Sequence, residues 1–159
     1  MYRNIVFALV SSIFISCCGY STQSLLPSHL KTIHIAPVEN STLRPLLGED
    51  LGDRLTLQFS KGGRLRVVSE SSADLVLNIT VTSYSRQAAV YDNERNVQKW
   101  IYSLSYRGEC RDMVKNSLLW QQNAVVTKVI DSDVDEDESI AKLIDRAAEE
   151  IVRKTMIAW

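Results

Sequence analysis

The stretch Asp74-Leu-Val-Leu-Asn-Ile-Thr-Val-Thr82 decides the fold. Leu75, Leu77, Ile79 and Val81 alternate with mostly polar residues, a period of two that is typical of a β-strand with one buried face. Residues 97–111 and 118–130 alternate in the same way, and the polar stretch 86–96 and the loop 112–116 separate the three segments. We therefore predict an antiparallel meander of strands 74–86, 97–111 and 118–130, joined by a long hairpin loop and a shorter one.

Two further strands and two helices are predicted around the meander. Residues 31–38 and 64–69 favour short strands. Residues 39–42 are a turn that supplies helix caps, and Pro45 suits the first turn of a helix. That helix shows the stripe Leu47, Leu51, Leu55 and Phe59 and stops at Lys61-Gly-Gly63. Gly48 and Gly52 predict a close approach to a neighbouring segment.

A second helix is predicted from about residue 135 to 156, with an apolar face formed by Ile140, Leu143, Ile144, Ala147, Ile151 and Val152. Each helix has one apolar face. We therefore expect an α+β fold, an α/β sandwich in which two helices pack on one face of a mostly antiparallel sheet of four or five strands.

The N-terminal residues 1–16 have the layout of a bacterial export signal. Arg3 is followed by an apolar run of about 11 residues, which as a helix spans roughly 17 Å and is too short to cross a bilayer. The run ends at Ser16-Cys17-Cys18-Gly19-Tyr20, where a lipoprotein signal has its cysteine. Cys17, preceded by the small Ser16, is the predicted lipid-attachment site, and Cys18 is the alternative.

The predicted domain organisation is a signal peptide at 1–16, a lipidated tether at 17–28 and a single domain at 29–159. If Cys17 carries the lipid, Cys18 and Cys110 can form a disulfide, because an exported chain enters an oxidising compartment. The alternative, that Cys110 is a half-buried strand residue, is favoured.

The net charge and the motifs of the chain argue against several classes of function. The net charge is −1 without a basic stripe, which argues against nucleic-acid binding. The chain has only two histidines and none of the common nucleophile, phosphate-loop or zinc motifs, so we predict that it is not an enzyme and uses no cofactor. The acidic run 131–138 resembles a calcium loop, but the sixth and twelfth places hold Glu136 and Lys142. We interpret these acids as helix-start residues and predict no metal site.

Several short motifs in the same order resemble the lipopolysaccharide-assembly lipoproteins of the LptE family. They are Cys18-Gly-Tyr20, Ile33-His-Ile-Ala-Pro-Val-Glu-Asn40, Gly63-Arg-Leu-Arg-Val-Val68, Ala73-Asp-Leu-Val-Leu77 and Ser83-Tyr-Ser-Arg86. The resemblance implies a lipid anchor in the inner leaflet of the outer membrane, on its periplasmic face. It also implies a partner β-barrel, LptD-like, that inserts lipopolysaccharide into the outer leaflet. In that family the lipidated cysteine is the one before Gly-Tyr, which here is Cys18.

A phosphorylated lipid head group favours arginine and lysine on projecting loops. Arg86 and Arg95 flank one predicted hairpin tip, whereas Arg111 and Lys115 flank another at the opposite end of the sheet. Arg111 and Lys115 are the predicted ligand-binding residues, and ordinary solvated loop charge is the alternative. The main alternative function is a periplasm-facing lipoprotein that binds peptidoglycan or a different envelope protein, and a lipid-anchored hydrolase is a third.

Overall fold

The computed structural model describes Pro27 and residues 29–158. The export signal, Cys17 and Cys18 fall outside the described residues. The described strands are β1 Thr32–Ile35, β2 Glu39–Asn40, β3 Arg66–Val67, β4 Leu75–Tyr91, β5 Val97–Asp112 and β6 Ser117–Asp131. The helices are α1 Leu47–Gly62 and α2 Glu136–Ile157, and a short 3₁₀ turn covers Glu70–Ser72.

These strands form one mixed sheet in the order β3-β1-β4-β5-β6, with β2 also paired to β4. β4, β5 and β6 are the predicted antiparallel meander, while β1, β2 and β3 pair in parallel. Both helices pack on the same face, and the α+β class is confirmed. The sheet has six strands in the described part of the chain, because the two-residue strand β2, at residues predicted as a turn, adds to the expected four or five.

The predicted stripes form the core. The four alternating residues of β4, from Leu75 to Val81, are buried, and so are the four stripe residues of α1. The inward side chains of β5 and the apolar face of α2 complete the cluster. Each fully buried leucine or isoleucine contributes roughly 1.5–3 kcal/mol to folding, so this cluster supplies most of the driving force.

The strands reach further than the sequence indicated. Residues 86–91, predicted as part of a hairpin loop, continue β4, and the loop itself is only residues 92–96. Asp92 closes it by accepting hydrogen bonds from the backbone N–H groups of Glu94 and Asn96, each at 2.8 Å. None of these last residues of β4 is buried, although Ala88, Ala89 and Val90 are apolar, because this part of the strand projects past the starts of both helices.

The start of α1 also differs from the prediction. Pro45 precedes the helix, and the N-cap is Leu46 in a left-handed conformation (φ 67°) without a side-chain cap. Asn40 instead braces the connection: its Nδ2 donates to the Arg44 carbonyl (2.8 Å) and its Oδ1 accepts from the Thr42 N–H (3.0 Å). Residues 39–42 therefore form a strand end and a braced loop and supply no cap.

Glycines allow two close approaches. A Cβ at Gly48 would lie 2.5 Å from the Val38 carbonyl oxygen, which confirms the predicted tight contact of α1 with its neighbour. On β5, a Cβ at Gly108 would lie 2.8 Å from the Trp120 ring. The indole packs flat on this part of the sheet because Gly108 has no side chain.

The sheet has two distinct ends. At the first, which we call the His29 end, Ile33, Leu75, Asp112 and Ser117 are level with one another. At the second, the Asp92 end, lie the loop 92–96 and the last residue of β6. α1 and α2 both run toward the His29 end. Neither described helix combines the length and apolarity needed to span a membrane.

Candidate functional site

A buried carboxylate organises the His29 end. Asp112 is only 3% exposed, and its Oδ2 lies 3.0 Å from Nε2 of His29. Its Oδ1 accepts from the backbone N–H groups of Val114 and Lys115, each at 2.9 Å. Burial raises the pKa of Asp112, but the hydrogen bonds from His29 and from the two N–H groups outweigh it and lower the pKa overall. The carboxylate thus fixes the β5–β6 turn against the start of the domain.

A second carboxylate ties β1 to β4 beside it. Asp74 Oδ2 accepts from the Lys31 N–H at 2.8 Å, from the Thr32 N–H at 2.9 Å and from the Thr32 hydroxyl at 2.8 Å. The Asp74 N–H donates in return to the same hydroxyl oxygen at 2.9 Å. The hydrogen bond from Lys31 is the largest cause of the lowered pKa of Asp74, and the bonds from Thr32 add to it against the opposing effect of burial.

The predicted ligand residues Arg111 and Lys115 both lie at the His29 end. Arg111 is on the sheet face opposite the helices, where its Nη2 is 3.0 Å from Glu109 Oε1, so its charge is already compensated. Lys115 is exposed on the turn, and among the described residues its ammonium forms no ion pair. The two residues therefore lie at the same edge of the sheet, as predicted. Their role in ligand binding stays a prediction.

The two arginines predicted to flank the hairpin tip at the other end of the sheet lie in different surroundings in the structure. Arg95 stands exposed in the loop 92–96, whereas Arg86 stacks on the Trp100 ring with 3.9 Å from its guanidinium carbon to the ring centroid. Arg86 Nη1 also lies 2.7 Å from Glu136 Oε2. The loop residue Arg44 reaches the other oxygen of Glu136 at 2.8 Å.

These contacts form an ion-pair network that sequence reasoning missed. Arg44 also pairs with Asp137 at 2.8 Å, so the network fastens the loop before α1 and strand β4 to the first turn of α2. No sequence signal marks it, because its members are 50 to 93 positions apart. Nearby, the buried hydroxyl of Tyr84 has no hydrogen-bond partner among the described residues, and burial, followed by the charge of Glu136, raises its pKa.

Two open grooves flank the loop 41–46. One, of about 680 Å³, lies between the starts of the helices and is lined by Leu46, Ile140 and charged residues including Arg54. The other, of about 600 Å³, lies between the loop and Tyr84. Leu43 is fully exposed between them. Both grooves combine apolar and charged side chains, and we find no nucleophile–base pair in the described grooves.

The remaining predicted sites are cysteines and acids. Cys110 forms no disulfide within the described part of the chain. It is fully buried, more than the expected half-buried residue, and burial raises the pKa of its thiol to about 12. The predicted lipid site Cys17, its alternative Cys18 and the Cys18 half of the possible disulfide lie outside the described residues. In the acidic run, Asp135 caps α2 by accepting from the N–H groups of Asp137 and Glu138. This confirms the helix-start interpretation. Within residues 29–158, no group of three or more histidine, cysteine or acidic side chains is placed to hold a metal.

The fold first defines the chain as a small α+β domain, and several bacterial proteins with solved structures have a similar fold. Lipoprotein B of Nitrosomonas europaea is 18% identical with a TM-score of 0.55, and the match covers 87% of this chain and 89% of that one. The protein CT253 of Chlamydia trachomatis is 12% identical with a TM-score of 0.62, covering 80% and 96%. XCC0632 of Xanthomonas campestris is 14% identical with a TM-score of 0.61, covering 80% and 84%. At these identities the similarity shows the fold alone.

The family follows from the sequence itself. The LptE (lipopolysaccharide-assembly) family model matches residues 30–155, so the chain belongs to the LptE family. The match spans every strand and nearly all of α2. No curated protein matches the chain significantly. Family membership confirms the resemblance and supports a role as an envelope-associated lipoprotein in lipopolysaccharide assembly.

Proposed function

We propose that the protein is a non-enzymatic lipoprotein of the outer membrane that faces the periplasm and partners a β-barrel in assembling lipopolysaccharide at the cell surface. The observation that carries the proposal is the family match over residues 30–155, which is nearly the whole described domain. The lipid is attached at Cys17, or at Cys18 as in the family, and the barrel is LptD-like. The barrel inserts the lipopolysaccharide, and this chain acts by binding.

The structure supports binding rather than catalysis through the kind of surface it offers. The exposed loop 41–46 stands between two grooves, and the ion-pair network of Arg44, Arg86 and Glu136 holds that loop in one position. A pre-organised loop loses little conformational freedom when a partner binds, which favours a stable complex.

Purification from the native membrane tests the partnership. Tagged full-length chain is solubilised in mild detergent and captured, and the expected result is one large β-barrel recovered in stoichiometric amount. The matched control replaces both Cys17 and Cys18 with alanine, which abolishes lipidation at either position. Recovery of peptidoglycan fragments, or of no stoichiometric partner, would support the alternative of a lipoprotein with another envelope ligand.

A separate experiment tests the proposed lipopolysaccharide contacts. Lys115→Glu combined with Arg111→Gln should weaken binding of lipopolysaccharide to the purified chain at least about tenfold, since a charge-assisted hydrogen bond contributes about 1.5–3 kcal/mol. Gln is used at position 111 because a glutamate there would face Glu109. Arg95→Glu, an exposed turn residue at the other end of the sheet, is the control. Equal affinities for the double variant, the control and the wild-type chain would remove the site.

A further inference from the structure

Exposed apolar side chains cluster on the turn between β5 and β6. Met113 is 48% exposed, Val114 58% and Leu118 48%. The backbone around them is fixed, because Met113 N–H donates to the Asp74 carbonyl at 2.8 Å and Asp112 holds the next two N–H groups. These are three of several exposed apolar side chains in the described part of the chain, and the fixed backbone makes this turn a candidate contact surface.

The chain enters the domain at the same turn. His29 contacts the carboxylate that also accepts from Val114 N–H, and Leu30 N–H donates to the Pro27 carbonyl at 3.0 Å. About ten residues separate Pro27 from the predicted lipidated cysteine, a segment that spans at most roughly 33 Å when fully extended. A lipid at Cys17 or Cys18 therefore keeps this turn, rather than the Asp92 end, near the membrane surface.

Charge is distributed unevenly between the two ends of the sheet. Exposed basic residues surround the His29 end, because β1 and β3 start there and α1 ends there; they are Lys31, Lys61, Arg64, Arg66 and Lys115. The Asp92 end contains the acidic run 131–138. An anionic bilayer surface attracts the first end and repels the second.

We propose that the β5–β6 turn, residues 113–116, contacts the lipid bilayer next to the anchor. Met113 and Val114 enter the interfacial region, and Lys115 lies among the anionic head groups, as basic side chains do at an interface. The contact sets the orientation of the domain, with the Asp92 end and the loop 41–46 directed away from the membrane. The inference rests on the lipid anchor of the proposed function. It shares Lys115 with the proposed lipopolysaccharide contact, and vesicles without lipopolysaccharide distinguish the two.

Site-specific fluorescence on the lipidated full-length chain tests the contact. The polarity-sensitive fluorophore NBD is attached at Val114→Cys, and the matched control carries it at Glu94→Cys in the hairpin loop at the opposite end. The buried thiol of Cys110 does not compete for the label. The unsubstituted chain, labelled in parallel, gives the background from any free junction thiol. Both proteins are reconstituted into vesicles of phosphatidylethanolamine and phosphatidylglycerol without lipopolysaccharide.

The expected result is a blue-shifted NBD emission at position 114 that spin-labelled lipid quenches, with a water-like and unquenched emission at position 94. Adding Lys115→Glu to the Val114→Cys chain should reduce the shift. Water-like emission at both positions, in protein that floats with the vesicles, would overturn the inference and leave the anchored role intact. A shift at position 114 that requires added lipopolysaccharide would overturn it too. Failure to float would refute the anchor itself, and the inference with it.

Discussion

Cys110 shows how a residue's surroundings decide its chemistry. Its side chain is fully buried, and burial raises the pKa of the thiol to about 12, so the reactive thiolate is scarce at neutral pH. We predict that maleimide modifies Cys110 of the folded chain very slowly and that modification accelerates across the urea unfolding transition. Mass spectrometry of the Cys110 peptide measures the rate separately from the junction cysteines. Rapid modification without urea would contradict the buried placement. Protection that persists after unfolding and is released by reductant would show a disulfide.

Asp74 gives a pH-dependent prediction. Its pKa is lowered from 3.8 in the folded chain, so its contribution to stability is complete above that value and is lost as the pH falls through the lower folded pKa. We expect Asp74→Ala to reduce the free energy of unfolding by about 1–3 kcal/mol at pH 7, because the N–H groups of Lys31 and Thr32 lose their acceptor. The difference from the wild-type chain should shrink below about pH 3.8.

The control for Asp74 is Asp133→Ala, an exposed aspartate in the turn before α2. It should change the free energy of unfolding by no more than about 0.5 kcal/mol. Chemical denaturation at pH 7 and at pH 3 measures both variants. A deficit of Asp74→Ala that is the same at both pH values would contradict the role of the ionised carboxylate.

At the scale of elements, the two glycines of α1 make a matched pair. A Cβ at position 48 would lie 2.5 Å from the Val38 carbonyl oxygen, whereas a Cβ at position 52 would meet only Val38 Cγ2 at 3.6 Å, an ordinary contact. Gly48→Ala should therefore lower the free energy of unfolding by about 1–3 kcal/mol, since α1 must move away from the sheet edge. Gly52→Ala should raise it by about 0.5–1 kcal/mol through helix propensity. Urea titrations that rank the two variants in the reverse order would contradict the packing of α1.

The elements also show what the sequence could predict. The stripes of β4, α1 and α2 were predictable because burial of one face imposes a period on the residues that line it. The last residues of β4 were not, since strands that project past the helices need no apolar face. The N-cap at Leu46 was missed because Asn40 uses its side chain to brace the preceding loop and leaves the helix start without a side-chain cap.

The candidate sites were less predictable than the core. Arg111 and Lys115 were correctly expected at the end of the sheet opposite Arg86 and Arg95, because antiparallel pairing fixes that geometry. The ion pair of Arg111 with Glu109 and the network of Arg44 with Glu136 were not foreseen. The network depends on how the chain folds back after β6, which no local pattern encodes.

At the scale of the whole molecule, the family and the fold both agree with a domain that is anchored at one end and binds a partner. The two ends of the sheet differ in charge and in distance from the tether. A domain held at its His29 end would present the loop 41–46 and the Asp92 end away from the anchor. In this arrangement the chain would act in assembly through the partner that it binds and the place at which the anchor holds it.

If the proposed function is correct, lipopolysaccharide needs this chain to reach the outer membrane. The most direct measurement depletes the chain in its native bacterium and follows pulse-labelled lipopolysaccharide into separated inner and outer membranes. We predict that newly made lipopolysaccharide accumulates in the inner membrane and that a plasmid copy of the wild-type chain restores its delivery. Normal arrival at the outer membrane after complete depletion would contradict it.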